Sequence, residues 1–218
     1  MRKLLVRLLH PLLRKWYSVH NAAPRHYRAN GLDLVVLPGV FHPGFFHSTA
    51  LLAEHITTLD LNGQRFLELG AGTGRVALTA ARAGAVVTAS DINPKAVENV
   101  RINAARNNLA VDAVQSDLFD QLPGHFDLIA INPPYYRRDP ATDAERAFLA
   151  GADHQYFRRL FPVLAPRIDR GTRVMMVVSA DVDLAPVAAI AKQSGLHFTE
   201  VRRKKRWGEA QVIFAVHR

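Results

Sequence analysis

Asn132-Pro133-Pro134-Tyr135 is poor scaffolding and well placed for chemistry. It ends Phe126-Asp127-Leu128-Ile129-Ala130-Ile131, a run with the apolar, β-branched character of a buried strand. Proline cannot donate to a sheet ladder, and an asparagine amide needs hydrogen-bond partners of its own. In an open α/β sheet, the carboxyl edge of the strands is where ligands bind. Four such residues at that edge point to a chemical role.

A second constellation lies upstream. Leu67-Glu68-Leu69-Gly70-Ala71-Gly72-Thr73-Gly74 follows a predicted strand and opens a predicted helix. Its glycines let the backbone turn tightly and approach a ligand beside a helix amino terminus. Asp91 ends the next predicted strand about 20 residues on, the usual place for a carboxylate that binds ribose hydroxyls. Loop and acid together signal a nucleoside cofactor. A dinucleotide fingerprint starting at Gly70 needs a small residue where Arg75 stands, whereas Gly72-Thr73-Gly74-Arg75-Val76-Ala77 fits the looser GxGxxA form. The glycine loop alone therefore leaves a nicotinamide cofactor open.

The elements that must position these groups alternate between strand and helix, which predicts a doubly wound, seven-stranded, mostly parallel α/β sheet. Candidate strands are Phe66–Leu69, Ala85–Ser90, Ala113–Gln115, Phe126–Ile131, Arg173–Ser179, His197–Arg202 and Gln211–Val216. Candidate helices fall near Leu51–Leu59, Arg75–Ala83, Pro94–Asn107, His154–Ile168 and Leu184–Ser194. Asn93 before Pro94 is a good helix start: a side-chain cap, then a proline already at helical φ. The last two strands are expected to form an antiparallel hairpin across a loop at Arg203–Ala210. Residues 1–30 read as a basic amphipathic helix and then coil. In the helix, Leu5, Leu8, Leu9, Leu12, Leu13 and Trp16 recur at helical spacing among Arg2, Lys3, Arg7, Arg14 and Lys15. Residues 1–45 are thus a short basic amino-terminal helix and extended segment, and 46–218 the main domain.

Composition bounds the function. The 218 residues are 49% hydrophobic and 22% charged, as in a globular domain. Without cysteine, disulfides, thiolate zinc sites and cysteine nucleophiles are excluded. The ten histidines show no metal-ligand spacing, so no metal is expected. Arg7 interrupts the first apolar run and no small-residue cleavage site follows, so no leader is expected. No stretch approaches a membrane span, and the expected location is cytoplasmic. A net charge of +9 favours polyanion partners such as RNA or a ribosome. A monomer or weak dimer is expected.

The third predicted strand ends in Ser116-Asp117-Leu118-Phe119 and the fourth in the Asn132–Tyr135 motif. With these two stretches the chain resembles the class I S-adenosylmethionine-dependent methyltransferases over roughly residues 35–216. The resemblance implies S-adenosyl-L-methionine as cofactor and assigns roles. The loop of Gly70, Ala71, Gly72 and Gly74 would pass the methionine moiety, with Glu68 orienting its charged end. Asp91 would hold the ribose hydroxyls and Ile92 would lie against the adenine. Asp117 would accept from the adenine amino group, and the Leu118 N–H would reach the ring. Asn132, Pro133, Pro134 and Tyr135 would form the catalytic motif, with Asn132 also beside the cofactor.

That motif suits a nitrogen conjugated to a carbonyl or an aromatic ring. Such a nitrogen is a poor nucleophile carrying two N–H donors. The Asn132 side-chain oxygen and the Pro133 carbonyl can hold both hydrogens and aim the lone pair, while the prolines stiffen the loop. The face of Tyr135 can stack on a planar amide or base. Asp91-Ile92-Asn93-Pro94 and the Asp117–Tyr135 segment look most like the HemK-type protein-glutamine N5-methyltransferases. Leu37-Pro38-Gly39-Val40-Phe41 is similar to the ribosomal RNA guanine-N2 methyltransferases, which share the broader "methyltransferase small" domain. Adenine-N6 methyltransferases also use Asn-Pro-Pro-Tyr. Arg137 and Arg138 are expected at the substrate entrance. Arg202-Arg203-Lys204-Lys205-Arg206 with Trp207 is expected in the terminal hairpin loop, where it would favour a phosphate-bearing or ribosome-associated substrate. His42 and His47 flank Gly44-Phe45-Phe46, a segment that the resemblance places over the cofactor or at the substrate entrance.

Overall fold

The computed structural model describes residues 23–43, 47–206 and 209–218. The amphipathic helix expected over the first residues, the segment 44–46 and Trp207 lie outside them.

Seven strands form one sheet in the order β5-β4-β3-β6-β7-β9-β8. They are β3 (Arg65–Leu69), β4 (Val86–Asp91), β5 (Asp112–Gln115), β6 (Leu128–Ile131), β7 (Arg173–Ser179), β8 (His197–Arg206) and β9 (Glu209–His217). Strands β3 to β7 are parallel; β9 runs antiparallel to both β7 and β8. This is the predicted sheet with its antiparallel terminal hairpin. The chain winds outward from β3 to β5, then returns to place β6 beside β3. That reversal opens a crevice at the carboxyl ends of the strands.

Strand β6 is a near-continuous apolar run because both its faces are covered. Leu128 and Ala130 face one core layer, with α1 (His47–Ile56), α2 (Arg75–Arg82) and α3 (Pro94–Arg106). Ile129 and Ile131 face the other, with Phe157, Leu160 and Phe161 of α4 (Gln155–Leu164) and Ile190 of α5 (Ala185–Gln193). Helix α3 begins as predicted: the Asn93 side chain accepts from the Lys95 N–H at 3.0 Å, with Pro94 in the first turn. Helix α1 starts four residues before the expected Leu51. It ends earlier too, because the Thr57 and Thr58 hydroxyls donate to the Glu54 and His55 carbonyls at 2.8 and 2.7 Å and cap the last turn. Among the described residues no helix is long and apolar enough to cross a membrane.

The segment expected to be coil holds a strand. β1 (Arg25–Ala29) pairs antiparallel with β2 (Leu32–Val36), with Ala29 opposite Leu32. The two connecting residues, Asn30 and Gly31, have φ of 53° and 72°, the left-handed pair that a tight hairpin turn requires. Asn-Gly was the available signal, and it lay hidden among polar residues without alternation.

Three asparagines, two on α3 and one at its carboxyl cap, dock this hairpin. Asn99, Asn103 and Asn107 stand at four-residue intervals, a rise of about 6 Å. Alternate residues of β2 advance by about 6.7 Å, close enough to match. Asn99 accepts from the Leu37 N–H (2.9 Å) and donates to the Val35 carbonyl (2.7 Å). Asn103 accepts from the Val35 N–H (2.8 Å) and donates to the Val35 and Thr73 carbonyls (both 2.9 Å). Asn107 accepts from the Asp33 N–H and donates to its carbonyl, both at 2.9 Å. Side-chain amides thus take the place of a third strand along the outer edge of β2. Arg75 completes the dock from α2. It is 4% exposed and donates to the Tyr27 hydroxyl (2.9 Å) and the Asn30 side chain (2.6 Å).

The basic run Arg202–Arg206 is also placed differently from the expectation. It belongs to β8 rather than to a loop, because β8 extends to Arg206 and β9 begins at Glu209. Beyond Phe198, which packs on the core, the side chains of β8 are mostly exposed, so the basic stretch shows no apolar alternation for periodicity to report. Its backbone bonds to the apolar β9 hold it extended.

Candidate active site

The crevice is a cleft of about 570 Å³ at the carboxyl ends of β3, β4, β5 and β6. Glu68, Gly70, Ala71, Gly72, Asp91, Ile92, Asp117, Leu118 and the whole Asn132–Tyr135 motif line it. Chain segments from Gly39 to Arg159 therefore meet at one site.

The glycine loop is laced to the end of β4. The Gly70 and Ala71 N–H groups donate to the Ser90 carbonyl at 2.8 and 2.9 Å, and the Gly72 N–H donates to Asp91 Oδ2 at 2.9 Å. Gly72 has φ 54°, and a Cβ built on it would meet no atom within 4 Å, which leaves the cleft open where a ligand would press on the backbone. Gly74 serves otherwise and does not line the cleft. At φ 77°, its Cβ would sit 3.0 Å from a Val100 methyl, so it lets α2 pack against α3.

Two buried acids frame the loop. Helix α2 has no side-chain cap at Gly74, and Glu68 supplies one from β3 by accepting the Ala77 N–H at 2.7 Å. Burial pushes the Glu68 carboxyl up to about 8, against the lowering effect of the Ala77 bond and with a further raising effect from the Asp91 charge. Asp91 accepts from Gly72 and from the Asn93 N–H (2.9 Å). Burial raises its pKa too, and these backbone bonds oppose the rise.

At the end of β6, Asn132 Nδ2 donates to the Thr49 hydroxyl at 3.0 Å. Thr49 sits on α1 and is 8% exposed. With its amide nitrogen committed to Thr49, Asn132 keeps its carbonyl oxygen as an acceptor at the cleft that it lines. Tyr135 lines the cleft but is only 5% exposed. Its hydroxyl bonds the Ser48 and Gln211 side chains, and burial pushes its pKa well up. The more exposed ring at the cleft is that of Tyr136, 37% exposed, with its centroid 4.9 Å from that of Tyr135. Sequence reasoning missed Tyr136 and Thr49. Adjacency to the motif could have found the first; nothing in the sequence links Thr49 to a residue 83 positions away.

Three further expectations meet specific partners. Asp117 is ion-paired with Arg159 of α4 at 2.7 Å, and both line the cleft. Leu118 adopts φ 47°, a left-handed conformation costing about 1 kcal/mol or more for a branched residue. Arg137 and Arg138 lie outside the lining. Arg137 donates to the Ala152 carbonyl at 2.6 Å, and Arg138 approaches Glu145 at 3.6 Å. Together with the bonds between Tyr136 and the backbone of Phe148 and Ala150 (3.0 and 2.9 Å), they brace the loop that walls the cleft beyond the motif.

Residues 31–158 match the family described as "methyltransferase small domain". A Methanocaldococcus jannaschii protein provisionally named a protein N5-glutamine methyltransferase is 37% identical over 117 residues, 53% of this chain and 56% of that protein. The ribosomal RNA small subunit methyltransferase C of Chromohalobacter salexigens is 33% identical over 162 residues, 73% of this chain and 45% of that protein. The chain thus spans about half the length of these curated relatives. Among solved structures, a T. thermophilus 16S rRNA N2-methyltransferase in complex with AdoMet and guanosine superposes with a TM-score of 0.64 at 25% identity, over 89% of this chain and 50% of that one. By sequence and by fold alike, this chain belongs to the methyltransferase small domain family, and its architecture is that of the class I S-adenosylmethionine-dependent methyltransferases.

Proposed function

We propose that this chain methylates a planar, conjugated amino nitrogen of an RNA base, with S-adenosyl-L-methionine as donor. The observation that carries the reading is Asn132, anchored through Thr49 at the end of β6, in the same cleft as the glycine loop and Asp91. The lining suits the cofactor. Space above Gly70 and Gly72 admits a chain against the backbone, the Asp91 carboxylate would accept from ribose hydroxyls, and Ile92 offers an apolar side chain, 44% exposed, to a purine. Bound there, the cofactor supplies a methyl group on a positively charged sulfur. Asn132 Oδ1 and the Pro133 carbonyl would hold the two amino hydrogens, leaving the nitrogen lone pair aimed into the cleft. Transfer would form the nitrogen–methyl bond as the sulfur–methyl bond breaks to leave a neutral thioether. The nitrogen would become cationic, so its two hydrogen bonds would tighten as charge develops and stabilise the transition state over the ground state. The nitrogen then loses one hydrogen to water as a proton. Exposed Tyr136 is placed to stack on the base, and the arginines expected at the entrance would act by shaping the loop around it.

A glutamine amide has the same planar chemistry, and HemK-type enzymes act on one. The base is favoured here because the ribosomal RNA relative matches 73% of the chain and the guanosine-bound structure aligns with 89% of it. Labelling an extract of a deletion strain with radioactive S-adenosylmethionine tests the assignment. Label removed by nuclease is expected; label that survives nuclease and yields to protease would move the acceptor to a protein.

Two further results are expected. Thr49→Val removes the hydroxyl that holds the Asn132 amide, and should lower kcat about tenfold, the cost of one lost buried hydrogen bond. Cofactor Kd should stay unchanged, and Thr49→Ser should restore turnover. Equal loss in the serine variant would discount the positioning role. Separately, a carboxyl with its pKa near 8 is mostly protonated at pH 7. The ammonium group of S-adenosylhomocysteine beside it would favour the ionised form. Affinity for that ligand should therefore rise as pH increases toward about 8, with proton release on binding. Calorimetry in buffers of different protonation enthalpy reads that release, which Glu68→Gln should reduce.

A further inference from the structure

Strand register carries the level of the catalytic motif across the sheet. Ile131 of β6 pairs with Met176 of β7, Met176 with Phe214 of β9, and Phe214 with Glu200 of β8. One step toward the carboxyl edge, Val177 pairs with Ile213 and Ile213 with Arg202. The next two rows end in Arg203 and Lys204. Because β8 runs in the same direction as β6 and β7, Arg202, Arg203 and Lys204 stand level with Asn132, Pro133 and Pro134. Three strand spacings put them about 14 Å away. Lys205 and Arg206 continue past that level.

The charge on this strand is arranged rather than scattered. Arg203 to Arg206 are exposed and Arg202 is half-buried. Glu54 of α1 takes Lys204 at 2.6 Å and Arg202 at 3.6 Å, so one carboxylate faces two cations and orients them without neutralising both. Glu200 takes Arg203 at 2.6 Å on the other face. Lysines on an edge strand do discourage pairing with another sheet. That purpose does not require five consecutive cations, nor their placement at the active-site edge. An extended strand sets cations of one face about 6.7 Å apart, a spacing that suits successive phosphates of a single RNA strand.

We propose that Arg202–Arg206 of β8 is a phosphate-backbone rail that holds RNA beside the cleft and presents one base to Asn132. The rail rests on the RNA-base reading above and names the surface that recognises the substrate. It contributes affinity and register, while the cleft performs the transfer.

The test uses the full chain with Arg203, Lys204 and Lys205 all changed to Gln, and with Arg203→Gln/Lys205→Gln as a milder variant should the triple fail to fold. The probes are a fluorescein-labelled unstructured RNA oligonucleotide and deproteinised ribosomal RNA. The triple variant should bind RNA at least about tenfold more weakly at about 0.1 M salt, and the slope of log affinity against log salt should shrink by about 2. Binding of S-adenosylhomocysteine should stay within about twofold. RNA-binding wild type with unchanged affinity and slope in the variants would overturn the rail and leave the RNA acceptor standing. Wild type that fails to bind either RNA, while labelling a protein in the extract, would overturn the acceptor reading and the rail together.

Discussion

Asn132→Ala is expected to lower turnover by between about a hundredfold and a thousandfold, the range seen when one preorganised group facing developing charge is removed. Cofactor affinity should change by no more than a few-fold, because the glycine loop, Asp91 and Ile92 are untouched. The size of the effect follows from the acceptor. A conjugated amino nitrogen has little lone-pair density to offer, and that density is directed only when both hydrogens are held. Alanine leaves one of the two acceptors, the Pro133 carbonyl, and lets the nitrogen rotate. It also leaves the buried Thr49 hydroxyl without its partner. Single-turnover transfer measured beside S-adenosylhomocysteine binding separates chemistry from affinity. Wild-type turnover in this variant would refute the proposed role of Asn132, and with it the reading of the site.

Asn103→Leu should cost about 2–4 kcal/mol, a large share of the stability of an ordinary domain. Asn103 is completely buried and serves three backbone groups at once, the Val35 N–H and the Val35 and Thr73 carbonyls. The Val35 carbonyl keeps its bond from Asn99, whereas the Val35 N–H and the Thr73 carbonyl lose a buried partner and gain no water. For a chain of this length such a loss lowers Tm by roughly 10 °C. Asn107→Ala, half-buried at the end of the row, should cost less. Because Thr73 belongs to the glycine loop, Asn103→Leu should also weaken cofactor binding, an effect that Asn107→Ala should not share. A Tm within about a degree of wild type would show that the hairpin is held by other contacts.

The asparagine row illustrates what a linear reading misses. Residues 99, 103 and 107 stand at visible four-residue intervals on a correctly predicted helix. Asparagine there reads as a polar face toward solvent, and only the arrival of β2 turns the face into a strand mimic. Arg75 is similar. In sequence it disturbed a dinucleotide fingerprint; in the fold it is a buried clamp on the Tyr27–Asn30 hairpin.

Local sequence was sufficient for the sheet, the switch point and the glycine-loop residues that line the cleft. Strand periodicity, the Asn93-Pro94 helix start and the glycine loop act over a few residues, and their physics is complete within those residues. That is why Glu68, Asp91, Asp117 and Asn132 are legible at or beside strand ends from sequence alone. Tertiary structure alone decided which groups hold these residues. Thr49 reaches Asn132 from α1, Arg159 reaches Asp117 from α4, and the basic strand β8 reaches the level of the motif through three rows of register. Side-chain partners and strand register depend on chain segments meeting across tens of residues, and no local pattern records that meeting.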